Sequence, residues 1–290
     1  MRVALVQLSS SDDPAANLPA TEALIREAAA GGADFVLTPE VSNIVSASRT
    51  RQSEVLRHEG DDATLARLRA VAAETGIWLS IGSLAVLTDD PDGRFANRQF
   101  LIGPDGAIAA RYDKIHMFDV DLGGEERYRE SAGYRPGEQA VLAETPLGTI
   151  GLTICYDMRF PALYRALAEA GAQILTVPSA FTVPTGRAHW HTLLRARAIE
   201  TGCFVLAAAQ WGTHQVQRGR VRETYGHSLS VAPWGEVLAD GGEGVGVTYA
   251  DLDLAAVAEA RKRVPSLSNA RSFEPPVPAS PNLTAIRAAR

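Results

Sequence analysis

Three residues far apart in the chain each close an apolar run in a way that could bring them to one reactive site. Cys155 ends the run from Thr149 to Ile154 and is followed by polar Tyr156-Asp157-Met158-Arg159 before Pro161. A thiol on such a strand-to-helix turn is exposed, and the amide N–H of Tyr156 could point at an oxyanion developing beside it. To react quickly near neutral pH it needs a base and a charge partner. Glu40 closes Leu37-Thr38-Pro39-Glu40, where apolar neighbours predict a desolvated carboxylate with a raised pKa, suited to general base work. Lys114, in Tyr112-Asp113-Lys114-Ile115-His116, is one of only two lysines among 28 cationic residues. Lys is a compact donor whose pKa moves when buried, whereas Arg is a broad fork that keeps its proton. A Lys retained in so Arg-rich a chain marks a site. Lys262, in Arg261-Lys262-Arg263, reads as a solvated helix end. Glu130, in Tyr128-Arg129-Glu130-Ser131, is a weaker second carboxylate, and Cys203, inside Cys203-Phe204-Val205-Leu206-Ala207, reads as core.

Strands and helices must carry these side chains. Apolar runs of strand length alternate with helical patterns, which reads as α/β. Strands are expected over 3–8, 34–38, 77–87, 98–102, 107–112, 149–154, 173–177 and 204–209, with a hairpin about Pro233-Trp234-Gly235 and a last strand over 245–250. Helices are expected over 18–30, stopped by Gly31-Gly32, and over 63–74, with Asp62 as N-cap and Gly76 at the end. Others cover 161–170, 188–200 and 254–263. The charged, Gly-containing stretch 119–137 reads as a long functional loop. One internal echo stands out: Gly32-Ala33-Asp34-Phe35-Val36-Leu37-Thr38-Pro39-Glu40 aligns without gaps on Gly171-Ala172-Gln173-Ile174-Leu175-Thr176-Val177-Pro178-Ser179. It suggests two related halves, with Glu40 and Ser179 at matching strand ends, and two sheets packed face to face. No G-x-G-x-x-G follows the first strand, against a Rossmann sheet.

Composition excludes several classes. With 290 residues, 46% of them hydrophobic, the chain can bury a large core. Its net charge of −6, without a basic stripe, argues against nucleic acid as partner. No apolar run suits a signal peptide or a membrane span. Two cysteines give no disulfide framework. A soluble cytoplasmic protein is expected. The histidines are scattered, His189-Trp190-His191 has no third ligand nearby in sequence, and neither C-x-x-C nor H-E-x-x-H occurs, so no metal is expected.

Taken together, Glu40, Lys114 and Cys155 resemble the Glu-Lys-Cys triad of the nitrilase (carbon–nitrogen hydrolase) superfamily. Supporting stretches are Tyr112 to Asp121, Ile154 to Pro161, Pro178-Ser179-Ala180-Phe181 with Ala188-His189-Trp190, Arg195 to Glu200, and Tyr225-Gly226-His227-Ser228. Within the superfamily the chain is most similar to deaminated-glutathione amidases, with ω-amidases next. The resemblance implies a four-layer α-β-β-α sandwich over residues 1–264. It leaves 265–290, rich in Pro, Ser and Asn, as a tail wrapping the surface or a partner. It implies a homodimer or higher homo-oligomer and no cofactor. Glu130 matches a second Glu near the triad, and Arg187 falls where relatives often carry Pro. The implied chemistry is hydrolysis of an amide of a small 2-oxo acid through a thioester on Cys155. Lys114 and the Tyr156 N–H would form the oxyanion hole. Deaminated glutathione, cleaved to 2-oxoglutarate and Cys-Gly, is the first expectation. An ω-amidase acting on 2-oxoglutaramate, a nitrilase, an acyl transferase or a catalytically silent metabolite-binding homologue are the alternatives. The anionic substrate needs a cation, for which Arg159 and Arg187 are the candidates, with Phe181 as a further contact.

Overall fold

Acidic caps and glycine stops set the first elements. The computed structural model describes residues 1–123 and 127–276. Strand β1 (Arg2–Gln7) leads to helix α1 (Pro14–Ala30), which begins at Pro14 rather than Leu18 because Asp13 caps it and Pro occupies its first turn. Strand β2 (Phe35–Leu37) ends just before Pro39 and Glu40. The pattern did not reveal helix α2 (Arg49–Val55), which is short, polar and capped by Ser48. Helix α3 (Ala63–Thr75) runs from the Asp62 cap to a left-handed Gly76, as expected. Strands β3 (Trp78–Val86), β4 (Ala96–Ile102) and β5 (Ile108–Asp113) follow. The stretch expected to be one long loop instead holds an antiparallel pair, β6 (Asp119–Asp121) and β7 (Arg127–Arg129), and a 3-10 turn over Glu130–Ala132. Each strand is only three residues long, too short for its alternation of charged and apolar residues to register as a strand.

The second half contains β8 (Val141–Thr145), β9 (Gly148–Leu152), α4 (Pro161–Glu169), β10 (Ile174–Thr176), α5 (Val183–Thr201) and β11 (Phe204–Ala207). Helix α5 starts at Val183 rather than Ala188, with Pro184 in its first turn. The chain closes with β12 (Trp211–Thr213), β13 (Glu223–Tyr225), β14 (Leu229–Val231), β15 (Val237–Asp240), β16 (Gly246–Asp251) and α6 (Ala255–Arg263).

Two six-stranded sheets result, in the orders β16-β1-β2-β3-β4-β5 and β8-β9-β10-β11-β14-β15. In each, three central strands are parallel and the flanking strands antiparallel. Along β1, Ala4 and Val6 face α1 and α3, packing with Ile25, Leu65 and Leu68. Val3 and Leu5 face the opposite way, toward Ile150, Leu152 and Ile174 of the second sheet, whose cluster also takes in Leu163, Trp190 and Leu194 of α4 and α5. Gln99 Nε2 donates to Ser80 Oγ within the first sheet and across to Thr176 Oγ1 of the second, both at 2.9 Å. This is the four-layer α-β-β-α sandwich. Residues 265–276 are exposed apart from partly buried Leu267, with Phe273 87% accessible, and the remaining tail, 277–290, lies outside the described residues. Among the described residues no helix is long and apolar enough to cross a membrane.

Candidate active site

Glu40, Lys114 and Glu130 meet where strands of the first sheet end. Lys114 follows β5 and is held by its backbone, donating from N to Asn97 O (3.0 Å) and accepting at O from Gly137 N (2.7 Å). Its buried Nζ donates to Glu40 Oε1 at 2.8 Å and to both Glu130 oxygens at 3.0 and 2.8 Å. Asn97 Nδ2 bridges the carboxylates, donating to Glu40 Oε1 (2.9 Å) and Glu130 Oε1 (3.4 Å). The Ala180 amide donates to Glu40 Oε2 at 2.8 Å, so one carboxylate spans both sheets. Phe118 N donates to Glu130 Oε2 at 2.6 Å, which fixes that side chain on the 3-10 turn. Glu130 is therefore not the solvated loop residue its charged context suggested.

Cys155 lines the same cavity from the second sheet. It is the first residue of a 3-10 turn, Cys155–Arg159, and its φ of 48 is left-handed. Among the described non-glycine residues only Val41, beside Glu40, and His227 share that conformation. A β-branched residue there is strained, and such strain concentrates at functional sites. Asp157, fully buried, locks the turn. Its Oδ2 accepts from Ile154 N (2.9 Å) and the Tyr112 hydroxyl (2.7 Å). Its Oδ1 accepts from His116 N (3.0 Å) and lies 2.7 Å from His116 Nδ1. The His116 ring stacks on Phe160 at 3.6 Å. His116 thus supports the turn through Asp157 rather than pairing with the thiol.

Electrostatics assign the resting protons. Cys155 is buried, which corrects the exposure expected of its turn. Burial pushes the thiol well up, and the neighbouring Glu40 carboxylate pushes it further against the opposing Lys114 ammonium. Burial alone would raise Glu40, but the charge and hydrogen bond of Lys114 outweigh it and hold the carboxyl below its ordinary value. The expected upward shift of Glu40 is thereby corrected: the ammonium lies too close for burial to win. Lys114, which burial would lower, is held well above its usual value by Glu130 and Glu40. Lys114 and Glu40 are charged in the resting site, and the thiol keeps its proton.

The cavity, about 360 Å³, lies at the lower end of the usual range for ligand pockets. Phe181 and Tyr156 line it. Neither expected arginine does. Arg159 stacks behind the cavity, over Phe181 at 5.5 Å and Tyr156 at 6.0 Å. Arg187 lies exposed on α5, because the helix begins before it. The lining instead draws on Arg49, Arg127, Arg129 and Arg222 with Lys114, five cations against the carboxylates of Glu40 and Glu130. Arg222 Nη2 donates to Ala180 O at 2.6 Å, and its charge acts on Glu40. Among the described residues no group accepts from its buried Nε. Sequence reasoning missed Arg222, Asn97 and Asp157. The one available signal was the position of Arg222 just before Tyr225-Gly226-His227-Ser228.

Residues 2–262 match the carbon–nitrogen hydrolase family. The deaminated glutathione amidase of Yersinia enterocolitica is 38% identical over 277 residues, 95% of each chain. The human protein of that name is 40% identical over 272 residues, covering 93% of this chain and 82% of its own. Among solved structures, the Caenorhabditis elegans NitFhit protein superposes with a TM-score of 0.85 at 38% identity, over 93% of this chain and 65% of that longer one. Saccharomyces cerevisiae Nit3, a member of branch 10 of the nitrilase superfamily, gives 0.79 at 32% identity, over 91% and 94%.

Proposed function

The chain belongs to the carbon–nitrogen hydrolase family, hydrolases of carbon–nitrogen bonds, and we propose that it is a cysteine-dependent amidase for an anionic 2-oxo acid amide, deaminated glutathione first. The observation that carries this reading is the convergence of a thiol on a strained turn, an ammonium and a charged carboxylate on one cavity. Glu40 takes the thiol proton as Sγ of Cys155 attacks the amide carbon. The new oxyanion lies between the Lys114 ammonium and the Tyr156 N–H, in place of solvent. Glu40 returns the proton to the leaving amine, here that of Cys-Gly, and the acyl group stays on sulfur as a thioester. Glu40 then takes a proton from the water that cleaves it, releasing 2-oxoglutarate and restoring the thiol. Glu130 grips the ammonium with both oxygens and keeps it in place.

Two features favour this substrate. The chain as a whole is acidic, yet the cavity is cationic, and Arg222 beside Glu40 presents a buried Nε, without an acceptor among the described residues, for the 2-oxo carboxylate. The cavity is also larger than the small leaving group of 2-oxoglutaramate requires. Assaying purified protein against deaminated glutathione and 2-oxoglutaramate, with mass spectrometry of quenched enzyme, tests the reading. Expected are faster release of Cys-Gly than of ammonia and an acyl adduct on Cys155. Turnover of nitriles alone, or an adduct elsewhere, would overturn it. Arg222→Gln should raise KM at least about tenfold with a smaller change in kcat, from the loss of a charge-assisted pair.

A further inference from the structure

The third left-handed residue lies away from the cavity lining. His227 has φ 59, and its backbone is fixed on both sides: its N donates to Gly242 O (2.9 Å) and its O accepts from Trp190 Nε1 (2.8 Å). The imidazole stacks on Tyr225 at 4.5 Å. Its Nδ1 lies 3.0 and 3.2 Å from the two oxygens of Asp240, and Nε2 of His191, on α5, lies 2.9 Å from Asp240 Oδ2. The Gly242 amide donates to Asp240 Oδ1 at 2.8 Å. No third ligand lies near His191 in the sequence. Its partners lie far along the sequence, Asp240 by 49 residues, and only the fold assembles them.

We propose that His191, His227 and Asp240 form a binding site for a borderline divalent transition ion such as Zn²⁺. Their ligand atoms lie within 4.8 Å of one another. A tetrahedral ion with bonds near 2.0–2.2 Å would set its ligands about 3.4 Å apart. The two His–Asp pairs then need open by a few tenths of an ångström, and the His191–His227 pair, within 4.8 Å, close by at most about 1.4 Å through side-chain rotation. Two imidazoles with one carboxylate suit Zn²⁺ or its neighbours, whereas Mg²⁺ and Ca²⁺ prefer oxygen. Each ligand has a support: ring stacking for His227, a backbone amide for Asp240, the helix for His191. The side chains are 37%, 22% and 31% exposed for His191, His227 and Asp240, which leaves an entry path and room for water as the fourth ligand. An ion here would tie α5 to β15, outside the thiol chemistry.

The test uses the full chain, free of any affinity tag and stripped by chelator, carrying Cys155→Ala so that the cavity thiol cannot compete. Calorimetric titration with Zn²⁺ and the visible absorption of Co²⁺ should show one saturable site per chain with a tetrahedral spectrum. His191→Gln and Asp240→Asn should each weaken it at least tenfold, with metal-free melting unchanged in one or both. Absence of saturable binding up to millimolar Zn²⁺, or a site indifferent to both substitutions, overturns the proposal. So does melting of metal-free variants that falls without any Zn²⁺ response in the parent, which would make the cluster a hydrogen-bonded clasp only.

Discussion

The two halves of the sandwich share a backbone and divide the chemistry. Val3 pairs with Phe35, which pairs with Trp78, and Ile150 pairs with Ile174, which pairs with Phe204, in one register. Beyond the strands the match continues: Thr38 N donates to Ser80 O at 3.0 Å as Val177 N does to Leu206 O at 2.7 Å. Pro39-Glu40 in one half corresponds to Pro178-Ser179 in the other, and by the same register Leu8 corresponds to Cys155. Yet the first half supplies every charge on the ammonium, while the second supplies the thiol, the Ala180 amide and Arg222. Ser179 turns its hydroxyl back to Val177 O at 3.0 Å. The scaffold brings strand ends together, and the residue placed just past each end decides what the site can do.

Exchanging matched positions tests that division. Cys155→Ala should lower kcat about 10⁴-fold or more with the fold intact. Its counterpart Leu8→Ala should cost about 2–5 kcal/mol in stability and leave the rate of the remaining folded protein within an order of magnitude. Stopped assays with urea titrations would separate the two, and equal losses of rate would erase the distinction. Glu40→Gln keeps the shape but removes the base, and should cost about 10²–10⁴ in kcat. Ser179→Ala should cost only about 1 kcal/mol of stability.

Lys114→Arg should lower kcat about 10²–10³-fold, since a guanidinium cannot occupy the same point. The pH profile adds a signed test. With Glu40 held below 4.5, the acid limb of kcat/KM should fall below that value, and with Lys114 above 10.5 the alkaline limb should lie beyond it. In Lys114→Met, burial acts on Glu40 against only the Arg222 charge and the remaining hydrogen bonds, so any residual activity should show its acid limb displaced upward. An unmoved limb would deny the ammonium its hold on Glu40.

A pH-dependent effect concerns what joins the halves. His214, from the second, lies with Nδ1 2.7 Å from Ser10 O of the first, and burial lowers its pKa from 6.5 to about 4. The unfolded chain therefore takes up a proton first as pH falls. The contribution is complete above 6.5 and is lost on descent toward 4, about 3 kcal/mol at ~1.4 kcal/mol per tenfold in proton affinity. His214→Gln should flatten unfolding stability over that window.

Much of this was legible in the residues themselves. The caps at Asp62 and Gly76, the buried strands and the echo between Gly32–Glu40 and Gly171–Ser179 all follow from local chemistry. Glu40, Lys114 and Cys155 stood out because residue type and context disagreed with a bland surface, whereas Glu130, weak on context alone, came through the family resemblance. What escaped depends on distance through space. Asn97 and Asp157 are ordinary until the fold supplies their partners, Arg222 is one Arg among many, and His191 acquires neighbours only when β15 packs beside α5. The sign of the Glu40 shift was missed for the same reason, since it turns on a 2.8 Å contact between residues 74 apart.

Asp157 carries a practical corollary. Because one carboxylate clasps the hydroxyl of Tyr112, the amide of His116 and the amide of Ile154, the segments bearing ammonium and thiol are geared together. Recombination or directed mutagenesis that swaps residues 112–116 without 154–157 would import a mismatched pair. Libraries built on this scaffold should inherit both segments as a single cassette.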